Sequence, residues 1–386
     1  MNTKVRKVCI VGLDSYGMLS GDGLKYVGGE AVQHVLLARA WRDLGHEVSM
    51  IVFDEGPQMR REIDGIKVIP AYARQAGIPG LRFFHPRASK LVAALFAVDA
   101  DVYYQSPAGA NTGITAWFCR MTGKNFIFRV ASDSDCEKEH GRIRFGRDRM
   151  LYDFGLKRAD LVAAQTEFQA QLLREHHALE CPVINMMVEP PQRGAAPARK
   201  DIDVLWVSNL RALKRPELAL ELARQLPDIG FTLAGGPMPG GQTYFDDVAA
   251  AAARLPNVRM LGAVKYADTG ALFDRARVFL NTSSIEGFPN TFLQAWIRGV
   301  PVVSFFDPDG MVHRLQLGRI ATSVDDMREA LRGLLDVDVY RETVGRRARD
   351  FACREYTSGV AVRYLELLDA RLERPQVGAT HGGTIQ

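Results

Sequence analysis

Short apolar runs recur along most of the chain, each followed by a stretch of helical period, and the alternation breaks only once. In the first half the runs are VRKVCIVG (5–12), EVSMIVF (47–53), IKVIP (66–70), DVYYQ (101–105), NFIFRV (125–130), LVAAQ (161–165) and PVINM (182–186). Helical patterns lie between them at 29–45, 87–98, 109–121 and 148–158. The segment VEPPQRGAAPARKD (188–201) mixes Pro, Ala and charge without any apolar period, and reads as a linker. The alternation then resumes with DVLWVS (203–208), FTLAGG (231–236), VRMLG (258–262), VFLNT (278–282), PVVSF (301–305) and RIATS (319–323). Helical patterns near 216–226, 242–254, 268–275, 290–298 and 324–335 accompany them, and two more near 338–353 and 357–372 follow.

Strands that alternate with helices build parallel, doubly wound sheets. The expectation is therefore an α/β chain of two Rossmann-like domains facing across a cleft. The first spans 1–187 and the second 202–354, joined by the 188–201 linker. A helix at 355–372 is expected to pack back on the first domain, and 373–386 reads as a frayed tail. A chain of 386 residues is also too long for one ordinary core. Such sheets bind ligands beyond the carboxyl ends of their strands, so the cleft is where function is expected.

Hydrophobic residues make up 47% of the chain and charged ones 24%, the balance of a soluble globular protein. The longest apolar run, LVAALFAV at 91–98, is too short to span a bilayer. The opening MNTKVRKVCIVGLD reads as a first strand rather than a signal-peptide core. Five scattered cysteines without CxxC spacing point to a reducing cytoplasm and no structural zinc. Residues 1–200 hold 27 Lys and Arg against 22 Asp and Glu, so the basic excess sits in the front half. That excess is too small to suggest a nucleic-acid partner.

Several chemistries are pruned by missing motifs. VGLDSYGMLSGDG follows the first strand in place of GxGxxG, and GxxxxGK[ST], HExxH and GxSxG are all absent. Three strand-to-helix turns remain. YVGGEAVQ (26–33) places Gly28 and Gly29 before a helix, where backbone amides can approach an anion or simply make a tight turn. WVSNLRALKRPELALELA (206–223) crowds Asn209, Arg211, Lys214 and Arg215 into one loop, suited to a pyrophosphate or to solvent. RVFLNTSSIEGFPNTFLQAWIRGVPVVSFF (277–306) sets Glu286 at a strand end before a helix. That carboxylate suits sugar hydroxyls, and equally suits electrostatic capping of the helix.

Together these turns resemble the GT-B glycosyltransferases of family 4 (group 1). EGFPNTFLQAWIRGVPVVS is similar to that family's donor-site motif, WVSNLRALKRPEL to its phosphate loop, and VGGEAVQHVLLARAWRDLGHEV to its N-terminal glycine loop and helix. GLKRADLVAAQTEFQAQLL (155–173) resembles the end of the family's acceptor domain. The resemblance implies a retaining hexosyltransferase that uses a UDP- or GDP-linked sugar, with no further cofactor and no bound metal. It implies that Glu286 holds donor-sugar hydroxyls, with Gly287, Phe288, Pro289, Asn290 and Thr291 around sugar and β-phosphate. Lys214 would neutralise the leaving diphosphate, with Gly29 lending an amide.

The chain departs from the family at three points. The arginine five residues before the lysine is Asn209, leaving Arg211 to supply that charge. The second glutamate, implied to hold the ribose, is Gln294. The family's histidine after the strand near 125–130 has no counterpart at the start of RVASDSDCEKEHG (129–141). Asp133 and Asp135 occupy that loop, with His140 further along; Asp133 is expected to orient an acceptor hydroxyl or to help stabilise positive charge at the sugar, and helix capping by Ser132 or Asp133 is the alternative. FDPDG (306–310) resembles another donor-facing loop, and turn chemistry alone also accounts for it.

The acceptor is expected on the first domain. RQAGIPGLRFFHPRASK (74–90) and GRIRFGRDR (141–149) interleave cations with aromatics. Such segments suit an anionic membrane surface or a lipid-diphosphate acceptor, or merely solvated helix faces. The resemblance implies a lipid-linked saccharide acceptor in bacterial surface-polysaccharide assembly at the inner membrane face. A binding subunit that has lost turnover, and an epimerase on the same fold, are the competing readings.

Overall fold

The computed structural model describes residues 5–21, 28–138, 143–191 and 199–373. Two parallel sheets organise the chain. The first contains β1 (Lys7–Val11), β2 (Glu47–Val52), β3 (Glu62–Ile63), β4 (Ile66–Pro70), β5 (Val102–Gln105), β6 (Asn125–Arg129) and β7 (Leu161–Ala163), in the order β3-β4-β2-β1-β5-β6-β7. The second contains β8 (Ile202–Val207), β9 (Phe231–Ala234), β10 (Val258–Gly262), β11 (Ala276–Asn281), β12 (Val302–Ser304) and β13 (Gly318–Ile320), in the order β10-β9-β8-β11-β12-β13.

Central strands covered by helices on both faces must be apolar throughout, and β1 and β11 are buried over nearly their full length. Among the described residues only β3 runs antiparallel, on the edge, joined to β4 by Asp64 and Gly65 at φ 52° and 73°. That is a primed hairpin turn, which an Asp-Gly pair favours.

In each sheet the chain fills one side of a central strand and then jumps to the other. The reversal lies between β1 and β5 in the first sheet and between β8 and β11 in the second. Loops leaving the carboxyl ends of strands at such a reversal diverge and leave a crevice. The two crevices face each other.

PVINM (182–186) is not the strand its apolar run suggests. Only Val183 bridges Ala164, and the chain then crosses between domains. Ile184 and Met187 pack in the first domain's core, whereas Met186 and Val188 pack in the second's. The run is apolar because it threads two cores. Val188 donates its amide to the Tyr356 carbonyl (2.8 Å), and Asn185 reaches the Glu355 carbonyl (3.2 Å), so this crossing lies beside the chain's return.

After that return the Gly359–Leu372 helix packs on the first domain. Trp41 donates Nε1 to the Ala361 carbonyl (2.9 Å), and the rings of Trp41, Tyr104 and Tyr364 meet edge to face. Each such buried aromatic contributes about 1.5–3 kcal/mol by area alone. The tail from 374 onward lies outside the described residues.

Candidate active site

A cleft of about 1130 Å³ opens between the facing crevices. Its second-domain wall is built by two loops. The loop after β8 runs through Asn209 and Arg211 to a 3-10 turn ending at Lys214; Arg215 follows, and Pro216 starts the Pro216–Gln225 helix. Proline at that first position suits the helix's fixed φ. Arg215 sits in the left-handed region at φ 47°, at a cost of roughly 1–2 kcal/mol. Its side chain fixes the corner: Nε donates to the Thr282 carbonyl (2.8 Å) and the guanidinium lies 4.8 Å from the Phe305 ring centroid.

The loop after β11 is stitched to the first. Trp206 Nε1 donates to Thr282 Oγ1 (3.0 Å), which donates to the Lys214 carbonyl (2.7 Å), and Ser284 N donates to the Leu213 carbonyl (2.9 Å). This places the Lys214 amine in an ion pair with Glu286, and Asn281 Nδ2 approaches the same carboxylate oxygen at 3.4 Å. Both side chains are nearly buried, at 10% and 12% exposure. Burial pushes the Lys214 amine below its ordinary range, more than Glu286 raises it, and Arg211 lowers it further. An incoming diphosphate would raise it again. UDP binding in alkaline buffer is therefore expected to take up a proton and to weaken as pH rises. Calorimetry in two buffers of different ionisation heat checks this, and Lys214→Met should abolish the uptake.

Arg211 lines the cleft with its buried Nε lacking a partner among the described residues, a donor set up for an acceptor that the protein does not itself supply. Asn209 lines the same wall. Gly287 lies against the first domain, where a Cβ would come 3.1 Å from the Ala131 carbonyl oxygen. Phe288 turns inward to pack near Trp296 and Tyr356, and Pro289 leads into the Asn290–Trp296 helix, which also carries Thr291. Gln294 is buried, lines the cleft together with Tyr266, and among the described residues its Oε1 is an acceptor without a partner.

Gly28 and Gly29 open the Gly29–Asp43 helix on the opposite wall. Gly29 leaves room for Asn290: a Cβ would come within 2.5 Å of Asn290 Nδ2, which donates to the Gly29 carbonyl (3.1 Å), and would make that side chain move. Gln33 donates to Asn290 Oδ1 (2.6 Å) and to the Met187 carbonyl (2.9 Å), tying both domains to the crossing segment. A second tie comes from FDPDG. Asp307 closes its own turn onto Val312 N and His313 N, as turn chemistry requires. Asp309 instead crosses to the first domain and accepts from Glu167 N (2.8 Å) and Phe168 N (3.2 Å), capping the Glu167–His177 helix.

Asp133 lines the first-domain wall and accepts from Gln169 Nε2 (3.0 Å). Asp135 is structural: its carboxyl, pushed up by burial, accepts from Ala131 N (2.8 Å) and Ser132 Oγ (3.1 Å). His140 lies outside the described residues. Three features of this wall escaped the sequence reading: Glu30, Phe168 and His176. Glu30 is held by the fully buried Arg129, which lowers its pKa against the opposing effect of burial, and Arg129 Nε donates to Tyr104 OH (2.8 Å). Among the described residues no group of His, Cys, Asp and Glu is placed to hold a metal ion.

Two family matches fall on the two halves of this cleft. Residues 28–185 match the family described as Glycosyl transferase 4-like domain, and residues 201–336 match Glycosyl transferases group 1. Each half of the chain thus matches a family of glycosyltransferases. Among curated relatives, the D-inositol 3-phosphate glycosyltransferase of Mycolicibacterium paratuberculosis is 30% identical over 201 residues. That alignment takes in 46% of this chain and 45% of the relative, so it spans less than half of either.

Solved structures show that this glycosyltransferase has the GT-B fold. Sucrose-phosphate synthase from Thermosynechococcus elongatus superposes with a TM-score of 0.73 at 16% identity, covering 95% of this chain and 99% of that one. Anabaena HepE in complex with UDP and glucose gives 0.72 at 16% identity, covering 95% and 100%.

Proposed function

We propose that this glycosyltransferase moves a hexosyl group from a UDP- or GDP-sugar to a hydroxyl of a saccharide acceptor with retained configuration. The observation that carries the reading is the Lys214–Glu286 pair at the reversal between β8 and β11, facing Gly29 across the cleft. A donor entering there divides the pair. Lys214 and Arg211 turn to the diphosphate, and Glu286 accepts from sugar hydroxyls. The bond from the anomeric carbon to the β-phosphate oxygen breaks with its electrons leaving on the nucleoside diphosphate. The acceptor oxygen bonds to that carbon and gives its proton to the departing phosphate. Two cations opposite the diphosphate supply the charge stabilisation, so no cofactor is proposed. Asn290 and Asp309 hold the walls together and limit access of water.

Gln294 is proposed to accept from a ribose hydroxyl through its unpartnered Oε1. A neutral amide makes a weaker bond there than a carboxylate. Gln294→Glu is expected to tighten nucleoside diphosphate binding about tenfold, the value of one charge-assisted bond, without changing the sugar used. Titration calorimetry with UDP and GDP checks it; unchanged affinity would displace the nucleotide from this wall.

The lipid-linked acceptor and the membrane contact rest on a separate surface. The two basic-aromatic segments converge, with the Arg147 guanidinium 3.4 Å from the Phe83 ring centroid. Ile78, Leu81, Phe84, Phe145 and Met150 are exposed on these segments and beside them. Among the described residues no helix is long and apolar enough to cross a membrane. A peripheral contact with the cytoplasmic face of an anionic membrane, serving polysaccharide or glycolipid assembly, is the function proposed for that patch.

The deciding experiment incubates the protein with UDP- and GDP-hexoses, with and without membrane extract, and follows released nucleotide and labelled product. Transfer that needs the extract supports the reading. Binding without turnover would favour a sugar-binding subunit, and an interconverted free donor an epimerase.

A further inference from the structure

The first turn of the Glu167–His177 helix finds partners for its amides in both domains. Gln169 N donates to Thr166 Oγ1 (3.1 Å) and Ala170 N to the Thr166 carbonyl (3.1 Å), as an ordinary cap provides. Glu167 N and Phe168 N donate instead to the two carboxylate oxygens of Asp309, at 2.8 and 3.2 Å. Asp309 is not among the described residues that line the cleft, so its carboxylate serves the other domain rather than a ligand. The loop is shaped for that reach. Asp307 holds its base by closing onto Val312 N and His313 N, while Asp309 and Gly310 turn through the left-handed region at φ 49° and 65°.

Each end of this contact leads to one half-site. On the second-domain side the Phe305 ring lies 4.8 Å from the Arg215 guanidinium, at the corner that follows Lys214. On the first-domain side the capped turn carries Phe168 on the cleft wall and Gln169, whose Nε2 donates to Asp133 (3.0 Å). A carboxylate that accepts from two helix amides makes strong, directional bonds, and both partners return to water when the domains part. We propose that Asp309 is a closure latch. It holds the cleft shut over a filled diphosphate loop, fixes the wall that carries Asp133, and so sets how the donor sugar divides between acceptor and water. Asp309 acts through the helix and is a positioning residue. The inference rests on the glycosyl-transfer reading above and adds a control on that site. In transfer the acceptor oxygen bonds to the anomeric carbon as the bond to the diphosphate breaks, and its proton goes to the departing phosphate. In hydrolysis a water oxygen takes the acceptor's place and gives up its proton in the same way.

Hydrogen exchange resolved to single amides reads the latch directly, on the full chain with and without UDP or GDP. Nucleotide is expected to slow exchange at Glu167 and Phe168. With nucleotide bound, Asp309→Ala should speed both amides about tenfold or more, the value of one charge-assisted bond. Glu167→Pro breaks the latch from the other side. Proline suits the first position of a helix, and Thr166 before it is already extended at φ −138° and ψ 156°. The ring carbon on its nitrogen would stand where the Asp309 carboxylate now sits. Circular dichroism should show the helix content of Glu167→Pro unchanged. At saturating donor, with membrane extract present, Asp309→Ala and Glu167→Pro should each raise the ratio of donor hydrolysis to transfer about tenfold. The double variant should do no more than either alone. Asp309→Asn keeps the shape but offers one acceptor oxygen to two amides, and should fall between. An unchanged ratio in Asp309→Ala, unchanged exchange at the two amides, or a double variant with the product of the single effects would each overturn the latch. No nucleotide release from any donor by the unmodified protein would instead overturn the transfer reading, with the exchange rates still deciding whether Asp309 latches the domains.

Discussion

Lys214→Met is expected to lower turnover about 10²–10³-fold, the usual loss when one preorganised charge-stabilising donor is removed. It should also destabilise the fold, because the Glu286 carboxylate is left nearly buried without its cation. Breaking one side of such a pair costs about 3–5 kcal/mol, whereas replacing both sides by neutral groups of similar shape is close to neutral. The double variant Lys214→Met/Glu286→Gln separates the two effects. Its melting temperature should return toward that of the unmodified protein while its turnover stays low. Thermal unfolding and nucleotide release, measured on the single and double variants, check this. Turnover that recovered together with stability would make the pair a structural brace and remove it from the chemistry.

Gly235→Ala should produce the largest loss of stability from a single methyl group. A Cβ there would lie 1.7 Å from the Ser208 carbonyl oxygen and 2.8 Å from its carbon. Neither neighbour can step aside. Ser208 N is bonded to the Ala234 carbonyl (3.1 Å), Leu210 N to Gly236 (2.9 Å) and Gly235 N to Gly262 (2.8 Å). Forced overpacking of this kind costs about 3 kcal/mol, which lowers the melting temperature by about 6–12 °C in a domain of this size. Because Ser208 leads directly into Asn209 and Arg211, nucleotide affinity should fall as well. Gly333→Ala is the contrasting case. It lies exposed in the Val324–Leu335 helix with open space around its Cβ, and should stabilise by about 0.5–1 kcal/mol. Parallel melting curves for the two variants, opposite in sign, check both.

How much of this was legible in the sequence depends on how far each feature reaches. The strands were legible because a parallel strand covered on both faces must be apolar throughout, and 47–53 or 301–305 advertise that directly. The short β3 was not picked out, although Asp64-Gly65 is itself a hairpin signal; a two-residue strand carries almost no apolar pattern. At 182–186 the apolar run was real but its cause was different, since burial between two cores leaves the same trace as burial in a sheet.

The loops at 209–214 and 286–294 could be read as a site because each carries its charges within a few residues. The ties made by Asn290 and Asp309 could not. Each joins groups more than 140 residues apart, and nothing near Asp309 in sequence distinguishes the acid that crosses the cleft from Asp307, which does not. Glu30 and Arg129 were hidden for the same reason: a helix start and a strand end meet only after folding.

Among the described residues the chain passes between the domains twice, and the two passages lie side by side, joined where Val188 donates to Tyr356. Two adjacent strings of backbone remove most of the freedom that a single tether would leave. Twisting of one domain over the other would pull the passages apart, whereas rocking about the line joining them would not. Any opening along that one coordinate would, on closing, return Gly287 and Asn290 to the same places opposite Ala131 and Gly29. Registration of the two half-sites is thus a property of the tether, set before any substrate arrives.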